Sequence, residues 1–155
     1  MNTLIWLFIL QHNLLELARK YDIRFNNIST YEDYWDFPLE NKYKFTEKTQ
    51  YNPSSSYAAT KASADLLVKA WVRSFEVRAT ISNWSNNYGL YQNPEKFIPR
   101  QIINLLTGQQ AVLYEARLNI RDWIYVKDHC QAIDTIINKS GIGVTYLIGG
   151  NNEQI

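Results

Sequence analysis

The chain has 155 residues, of which 46% are hydrophobic and 20% charged, and its formal net charge is +1. This composition is typical of a globular protein of one domain. The near-neutral charge gives no broad electrostatic basis for binding nucleic acid or an anionic membrane. Cys130 is the single cysteine, which excludes an intrachain disulfide and favours a reducing, cytoplasmic location. Because His12 and His129 lie far apart, no metal-ligand spacing exists and no metal site is predicted.

The first segment of the chain is apolar but short. The run Leu4–Leu10 falls well below the about 20 residues that a membrane span requires. No basic residue precedes it and no signal-peptide cleavage pattern follows. We therefore predict the edge of a strand or helix there, followed by a helix over Asn13–Tyr21.

Helical and strand patterns alternate along the rest of the chain, and a polar turn is predicted at residues 85–89. Strands separated by helices pair in parallel through crossover connections, so the predicted fold class is α/β. The predicted strands are Ile23–Ser29, Val77–Trp84, Ala111–Tyr114, Arg121–Val126 and Gly143–Ile148, and the predicted helices are Ser56–Phe75, Glu95–Thr107 and Asp128–Lys139.

The helix at Ser56–Phe75 has the clearest pattern. Any serine of the run Ser54–Ser56 can cap it. Asp65 and Lys69 have the spacing of an i,i+4 ion pair. One apolar stripe is predicted to pack against a sheet or a partner helix, and it consists of Ala59, Ala62, Leu66 and Ala70.

Tyr57 and Lys61 are candidate catalytic residues, since a spacing of four residues puts them on one face of that helix. Tyrosine has a pKa near 10 and is a poor base at neutral pH, but a cation one turn away would lower that pKa. Such a tyrosine can take a proton from a sugar hydroxyl while a hydride leaves the same carbon. The pair alone is a weak indication, because a chain with 11 tyrosines also produces it by chance on a surface helix.

Polar residues at two predicted strand ends strengthen this candidate. Ser29 and Thr30 end one strand, Asn83–Asn87 follow the next, and Tyr57 begins the helix between them. Ligands of open parallel sheets bind beyond the carboxyl ends of the strands. Thr30 could therefore hydrogen-bond the reacting oxygen, and Glu32 could act as a second base.

Five segments of the sequence carry a resemblance to a known family: STYEDY, NPSSSYAATKASADLLVKAW, ATISNWSNNYGLY, PEKFIPRQI and LNIRDWIYVKDH. From Asn13 to Asn152 the chain resembles the dTDP-glucose 4,6-dehydratases, which are extended short-chain dehydrogenases/reductases. The resemblance implies a partial, Rossmann-like, doubly wound parallel sheet without the N-terminal Gly-rich βαβ units. It also implies one partial domain over residues 1–155, made of the C-terminal part of the NAD-binding domain and the start of the substrate-binding region.

The resemblance implies NAD as a tightly held cofactor and dTDP-glucose as the substrate. Tyr57, helped by Lys61 and Thr30, would deprotonate the 4-hydroxyl while NAD takes the hydride from C4. Glu32 would then remove the C5 proton as the 6-hydroxyl leaves as water, and the hydride would return to C6. The product would be the 4-keto-6-deoxy sugar.

The resemblance also implies binding roles. Asn87 would contact the nicotinamide side of the cofactor, together with Tyr57 and Lys61. The residues expected to hold the substrate are Asn86, Lys96, Phe97, Tyr114 and Arg121. A guanidinium forks onto phosphate oxygens, which suits Arg121 to the diphosphate. Its alternative role is an ion pair with a neighbouring aspartate, Asp122 or Asp128.

The family dimerises through two helices per subunit. The helix at Ser56–Phe75 is the natural contributor in this chain. The resemblance therefore implies a homodimer through that helix.

The sequence departs from the family pattern at the expected catalytic strand end. The family reads Ser-Thr-Asp-Glu there, whereas Tyr31 replaces the general-acid aspartate in this chain, and Trp35 replaces a glycine. No Gly-rich pyrophosphate loop occurs in the sequence. A positioned acid is worth about 10²–10⁴ in rate, so dehydration is expected to be impaired.

Two alternatives to an active dehydratase stay open. One is a non-catalytic relative or partner subunit, which Tyr31, Trp35 and the missing Gly-rich loop favour. The other is a nucleotide-sugar epimerase, against which Glu32 argues because an epimerase needs no acid–base pair for elimination.

Overall fold

The computed structural model describes residues 3–34, 44–111, 121–151 and 153–154. Helices and mostly parallel strands alternate along these residues, which confirms the predicted α/β class. In chain order the elements are α1 (Thr3–Lys20), β1 (Phe25–Thr30), a 3₁₀ turn (Tyr31–Asp33), α2 (Ser56–Phe75), β2 (Ala79–Trp84), β3 (Asn86–Tyr88), α3 (Phe97–Leu106), β4 (Arg121–Tyr125), α4 (Val126–Lys139), β5 (Thr145–Ile148) and β6 (Glu153–Gln154).

The chain divides into two compact units. The first comprises Met1–Trp84 and Gln131–Ile148, and the second comprises Ser85–Cys130 and Gly149–Ile155. The first unit contains a parallel sheet of strand order β1-β2-β5. In the second unit β4 pairs in parallel with β3 and antiparallel with β6. The expected single partial domain stays a prediction.

The core of the first unit lies where α1 and α2 pack on the sheet. Leu15 of α1 and Val68 of α2 are almost fully buried against Ile81 of β2. Each such aliphatic side chain contributes about 1.5–3 kcal/mol through removal from water. Trp71 Nε1 donates a hydrogen bond to Glu16 Oε1 at 2.7 Å, which joins the two helices beside this core.

The ends of α2 agree with the prediction for Ser56–Phe75. Ser55 is the N-cap, and its Oγ accepts a hydrogen bond from Ala58 N at 3.0 Å. At the other end Glu76 has a left-handed backbone with φ 57°, and its N–H bonds Val72 O. This left-handed residue ends the helix.

Of the predicted apolar stripe of α2, only Ala62 is buried against the sheet, and its packing against a partner helix, the other alternative, stays a prediction. Leu66 is 57% exposed, and Asp65 beside it is fully buried. A helix packs only one face on a sheet. Ala62 belongs both to the predicted apolar stripe and to the face that is buried against the sheet. That buried face consists of Ala58, Ala62, Asp65 and Val68.

The predicted Asp65–Lys69 ion pair is also wrong. Asp65 faces the sheet, whereas Lys69 Nζ donates to Tyr51 Oη at 3.2 Å and lies over the ring of Tyr51. Tyr51 Oη in turn donates to Asp65 Oδ2 at 3.1 Å. The two charged residues are therefore connected through Tyr51 rather than directly.

Three other elements differ from the prediction. Helix α1 includes the N-terminal apolar run, for which the sequence predicts the edge of a strand or a helix. The predicted polar turn at 85–89 contains β3, because Asn86–Tyr88 pairs with Trp123–Tyr125 of β4. The chain after Gly150 also forms a strand, β6, which is not among the predicted strands. The strand predicted at 111–114 falls outside the described residues beyond Ala111.

None of the helices within the described ranges combines the length and the apolar character that crossing a membrane requires.

Candidate functional site

The end of β1 carries two of the predicted catalytic residues, Thr30 and Glu32. Thr30 is the last residue of the strand, and its Oγ1 accepts a hydrogen bond from Glu32 N at 3.3 Å. This contact caps the 3₁₀ turn, in which the Glu32 side chain is exposed. A half-buried hydroxyl thus lies next to an accessible carboxylate.

Tyr57 lies in the first turn of α2 and is 48% exposed. Partial burial raises the pKa of Tyr57, and the negative charges of Glu32 and Asp33 raise it further. The predicted lowering of this pKa by Lys61 is therefore wrong for this structure. The influence of both acids also means that the 3₁₀ turn and the start of α2 are near neighbours.

The Lys61 side chain points to the end of β1. Its Nζ donates to the backbone carbonyl oxygen of Ile28 at 2.7 Å. That contact attaches α2 to the end of β1. Lys61 therefore reaches the predicted strand end, but its ammonium bonds the backbone of Ile28.

A buried polar cluster lies beneath these residues, centred on Asp65. Asn27 Nδ2 donates to Asp65 Oδ1 at 2.6 Å, and Asn83 Nδ2 donates to Asp65 Oδ2 at 3.1 Å. Asn27 belongs to β1 and Asn83 to β2, so one carboxyl of α2 binds two neighbouring strands. Burial raises the pKa of Asp65, and these hydrogen bonds oppose the shift.

Asp33 adds a second buried carboxyl to this cluster. Its side chain is fully buried, and Ser29 Oγ donates to its Oδ2 at 2.8 Å. Burial raises the pKa of Asp33 to about 7, against the lowering effect of the Ser29 hydrogen bond, and the neighbouring Asp65 raises it further. Two carboxyl groups thus lie together away from water.

In the second unit β3 carries the two predicted amide residues, Asn86 and Asn87. Asn87 Oδ1 lies 2.5 Å from His129 Nδ1 of α4. Asn87 Nδ2 points toward Ser85 O at 3.4 Å, and Gln92 Nε2 donates to Asn87 O at 3.0 Å. Burial lowers the pKa of His129, which favours the neutral ring. The Asn87 amide is therefore held on both sides.

The remaining predicted substrate residues of this unit lie on α3 and β4. Lys96 is the exposed N-cap residue of α3, and Phe97 begins the helix. The Phe97 ring stacks on Trp123 of β4 at 6.1 Å between centroids. Arg121 is half-buried at the start of β4. Tyr114 lies outside the described residues.

The predicted site residues fall into two groups. The first unit contains Thr30, Glu32, Tyr57 and Lys61 around one strand end, and the second contains Asn86, Asn87, Lys96, Phe97 and Arg121.

The NAD dependent epimerase/dehydratase family matches residues 7–149 of the sequence. The chain belongs to this family. It is 57% identical over 141 residues to dTDP-glucose 4,6-dehydratase of Mycobacterium tuberculosis (strain ATCC 25618 / H37Rv), in an alignment that covers 91% of this chain and 43% of that protein. The chain therefore spans less than half the length of this relative. The resemblance predicted from the five sequence segments is confirmed.

Solved structures of the family support the fold. A dTDP-glucose 4,6-dehydratase from Bacillus anthracis, in complex with NAD, superposes with a TM-score of 0.89 at 42% identity over 93% of this chain and 46% of that chain. One from Streptomyces venezuelae, with NAD and TYD bound, gives 0.85 at 36% identity over 93% and 44%. The partial Rossmann-like sheet predicted from the sequence is thereby confirmed.

Sequence reasoning missed Asp33, the inward direction of Asp65 and the contact of His129 with Asn87. One signal was present in β2, where Thr80, Ser82 and Asn83 are polar although the whole strand is buried. Buried polar groups need hydrogen-bond partners. A polar run within a predicted central strand therefore indicates a polar partner on the helix that covers it.

Proposed function

We propose that this chain provides the catalytic strand end and helix of an NAD-dependent dehydratase that acts on dTDP-glucose. The observation that carries the proposal is the contact between the end of β1 and the first turns of α2. Lys61 bonds Ile28 O there, and Glu32 is close enough to raise the pKa of Tyr57. An accessible phenol, a hydroxyl, a carboxylate and an ammonium thus surround one edge of a parallel sheet, where such sheets bind ligands.

The donors in the chain fit the nicotinamide-ribose end of NAD. Tyr57 and Lys61 of the first unit offer groups that can bond ribose hydroxyls. In the second unit, Asn87 is the residue that the family resemblance assigns to the nicotinamide side. The sequence has no Gly-rich loop for the pyrophosphate. When bound, NAD supplies the hydride acceptor and donor of the reaction, so no external oxidant is consumed.

The proton transfers are assigned to side chains of the first unit. Tyr57 accepts the proton of the sugar 4-hydroxyl, and Thr30 Oγ1 hydrogen-bonds the same oxygen. For this step Lys61 has to leave Ile28 O and approach the Tyr57 hydroxyl, since a nearby cation favours the phenolate. Glu32 removes the C5 proton, which the adjacent 4-ketone makes acidic. The 6-hydroxyl has to take up a proton to leave as water, and this step is slow because a phenol at position 31 donates a proton far less readily than the aspartic acid of the family.

Residues of the second unit are assigned to the substrate. Arg121 bonds the diphosphate, for which a guanidinium is well shaped. The other proposed contacts of the sugar nucleotide are Asn86, Lys96, Phe97 and Tyr114.

Substrate binding is tested by saturation-transfer NMR with dTDP-glucose. We expect the wild-type chain to bind dTDP-glucose. Arg121→Gln should bind it at least about tenfold more weakly, since a hydrogen bond to a charged group contributes about 1.5–3 kcal/mol. Arg100→Gln, on the exposed face of α3, is the matched control and should bind as the wild type does. Absence of binding to a folded wild-type sample would refute the proposal.

A second candidate is a non-catalytic member of the family that binds ligand or partner but catalyses nothing. The raised pKa of Tyr57 and the engagement of Lys61 with Ile28 O favour it. Detection of the 4-keto-6-deoxy sugar separates the two candidates. Product formation that is lost in Tyr57→Phe and kept in Tyr91→Phe, which alters a fully exposed ring, supports the dehydratase.

We further propose that two copies associate through α1 and α2. Leu66 is exposed on α2, and α1 packs beside that helix. Apolar residues spaced alternately three and four apart are typical of a helix that packs on another helix. In sedimentation experiments Leu14→Glu is expected to give monomers, whereas Leu106→Glu on α3 is not. The exposed stripe of α1 consists of Leu7, Leu10, Leu14 and Leu17.

A further inference from the structure

Two carboxyl groups with no accessible surface, Asp33 and Asp65, belong to one polar cluster of the first unit, and their donors Ser29 and Asn27 stand two residues apart on β1. Asp33 ends the 3₁₀ turn that carries Glu32, and Asp65 lies one helical turn after Lys61 on α2. A buried pair of like charges is costly unless cations or hydrogen bonds compensate it. The partners of the two groups therefore decide how many protons the pair holds.

Among the described residues, the hydrogen-bond donors to the pair are neutral. Asp65 accepts from two strand asparagines, Asn27 and Asn83, and from Tyr51 Oη. Asp33 accepts from Ser29 Oγ alone, and its Oδ1 is buried without a hydrogen-bond partner among the described residues. A bare oxygen in such a place costs much more on a carboxylate than on a neutral acid.

Cations do not compensate the pair. Among the described residues, Lys61 is the cation that lowers the pKa of Asp33, with an effect smaller than that of burial, and its ammonium bonds Ile28 O. Burial raises the pKa of both groups, and the neighbouring Asp65 raises that of Asp33 by its charge and by hydrogen bonding. The titratable groups around Asp33 are Asp65, Lys61, Tyr34, Tyr51 and Tyr57.

We propose that Asp33 and Asp65 share one proton and that this acid pair is a positioning device, which ties the turn carrying Glu32 to the helix carrying Tyr57 and Lys61. Asp65 holds α2 on the strands through its asparagine donors, and the shared proton joins Asp33, and with it the 3₁₀ turn, to Asp65. Loss of the proton leaves two adjacent buried anions, which separates the turn from α2. The catalytic meaning of this device rests on the proposed function, whereas the shared proton does not.

The sign of the pH effect follows from the raised pKa values. The folded chain holds its proton on Asp33 up to about pH 7, whereas an unfolded aspartate releases it near 3.8. The stabilisation is therefore complete below about pH 4 and is lost progressively as the pH rises toward about 7. Asp33→Asn keeps an acceptor for Ser29 and cannot ionise, so it removes this dependence.

The first test is infrared spectroscopy of the whole chain at about pH 6, where exposed carboxyl groups are ionised. We expect a protonated-carboxyl C=O band in the wild type that is absent in Asp33→Asn. Asp134→Asn, which removes an exposed carboxylate of α4, is the control and should keep the band. Absence of the band in the wild type overturns the shared proton.

The second test measures positioning without any ligand or turnover. The Tyr57 Cζ resonance of tyrosine-labelled chain, assigned with Tyr57→Phe, is followed from about pH 5 to about pH 9. We expect a step in its chemical shift near pH 7 in the wild type and in Asp134→Asn, but not in Asp33→Asn. If the wild type shows the infrared band of the first test but no step in the Tyr57 Cζ chemical shift, the positioning role is overturned. Because neither measurement uses dTDP-glucose or NAD, failure of the proposed function gives a different result.

Discussion

Replacement of Gly149 or Gly150 by alanine tests how closely the chain that follows β5 approaches β4. A Cβ atom at Gly149 would lie 2.1 Å from Asp122 Oδ2, and one at Gly150 would lie 2.1 Å from the backbone oxygen of Trp123. Neither glycine has a positive φ, so the requirement is space and not backbone conformation. Gly150 N also donates to Asp122 Oδ2 at 2.7 Å. These contacts hold the chain against the strand that begins with Arg121.

The two substitutions differ in which atoms have to move. In Gly149→Ala the Asp122 carboxylate can turn away, which loses an exposed hydrogen bond worth about 0.5–1.5 kcal/mol. In Gly150→Ala the obstacle is backbone, so the strand itself has to shift. That adds about 1–3 kcal/mol, the usual cost of overpacking, for a total of about 1.5–4.5 kcal/mol.

The assay is urea unfolding combined with amide hydrogen exchange in β4, which reports local opening of that strand. We expect Gly150→Ala to lower the protection of Asp122–Ile124 more than Gly149→Ala does. In an Asp122→Ala background the additional cost of Gly149→Ala should disappear, because its obstacle is gone, whereas that of Gly150→Ala should remain. Gly141→Ala is the control, since its Cβ would meet only Val144 Cγ2 at an ordinary 3.4 Å. Equal costs of Gly149→Ala in both backgrounds would refute the reasoning.

Further substitutions give independent checks. Burial lowers the pKa of His129, so the contribution of its neutral ring to stability is present above about pH 6.5 and is lost as the pH falls below that value. In urea unfolding, His129→Gln should remove this loss of stability at low pH. The same pH profile in the variant and the wild type would contradict the prediction. Leu15→Ala, at a fully buried site, should lower the free energy of unfolding by about 2–5 kcal/mol. Glu76→Gly should raise it by up to about 1 kcal/mol, since glycine adopts the left-handed φ of 57° without strain; destabilisation would show that the Glu76 side chain matters more. If the proposed dehydration occurs, Tyr31→Asp should accelerate product formation by about 10²-fold or more, and a rate equal to that of the wild type would argue against the assigned role of the missing acid.

The bounds of α2 could be predicted from the sequence because they depend on local chemistry. A serine cap before the first turn and a helix-compatible run up to Phe75 act within a few residues of each end. The strands β1 and β2 were predicted for a similar reason, since their β-branched residues favour extended backbone. Local signals of this kind need no knowledge of the tertiary structure.

The rotation of α2 about its axis could not be predicted in the same way. Ala62 belongs to two overlapping stripes, one through Leu66 and one through Asp65, and hydrophobicity favours the one through Leu66, which does not face the sheet. Asp65 is buried because Asn27 and Asn83 present amide donors at the strands that it covers. That requirement appears only when the two strands are side by side. Tertiary hydrogen bonding thus overrode the hydrophobic pattern.

The Tyr57–Lys61 spacing predicted proximity correctly, but it could not predict direction. Both residues lie at the start of α2 as a four-residue spacing requires. The flexible lysine can choose among acceptors, and the carbonyl of Ile28 lies within 2.7 Å. The same neighbourhood contains Glu32 and Asp33, whose charges raise the Tyr57 pKa. A pKa predicted from one cation on the same helix therefore omits the charges that come from the adjoining turn.

Asp33 does not replace the aspartate that is missing at Tyr31, although it is an acid within the same short turn. Its carboxyl is fully buried, and Ser29 holds one of its oxygens. A general acid has to come within hydrogen-bond reach of the departing oxygen of a ligand, which a carboxyl enclosed beneath α2 does not do. Successive side chains of the turn point in different directions, so Glu32 is exposed while Asp33 is enclosed. The buried Asp33 carboxyl is therefore no substitute for the general acid that the family resemblance assigns to position 31.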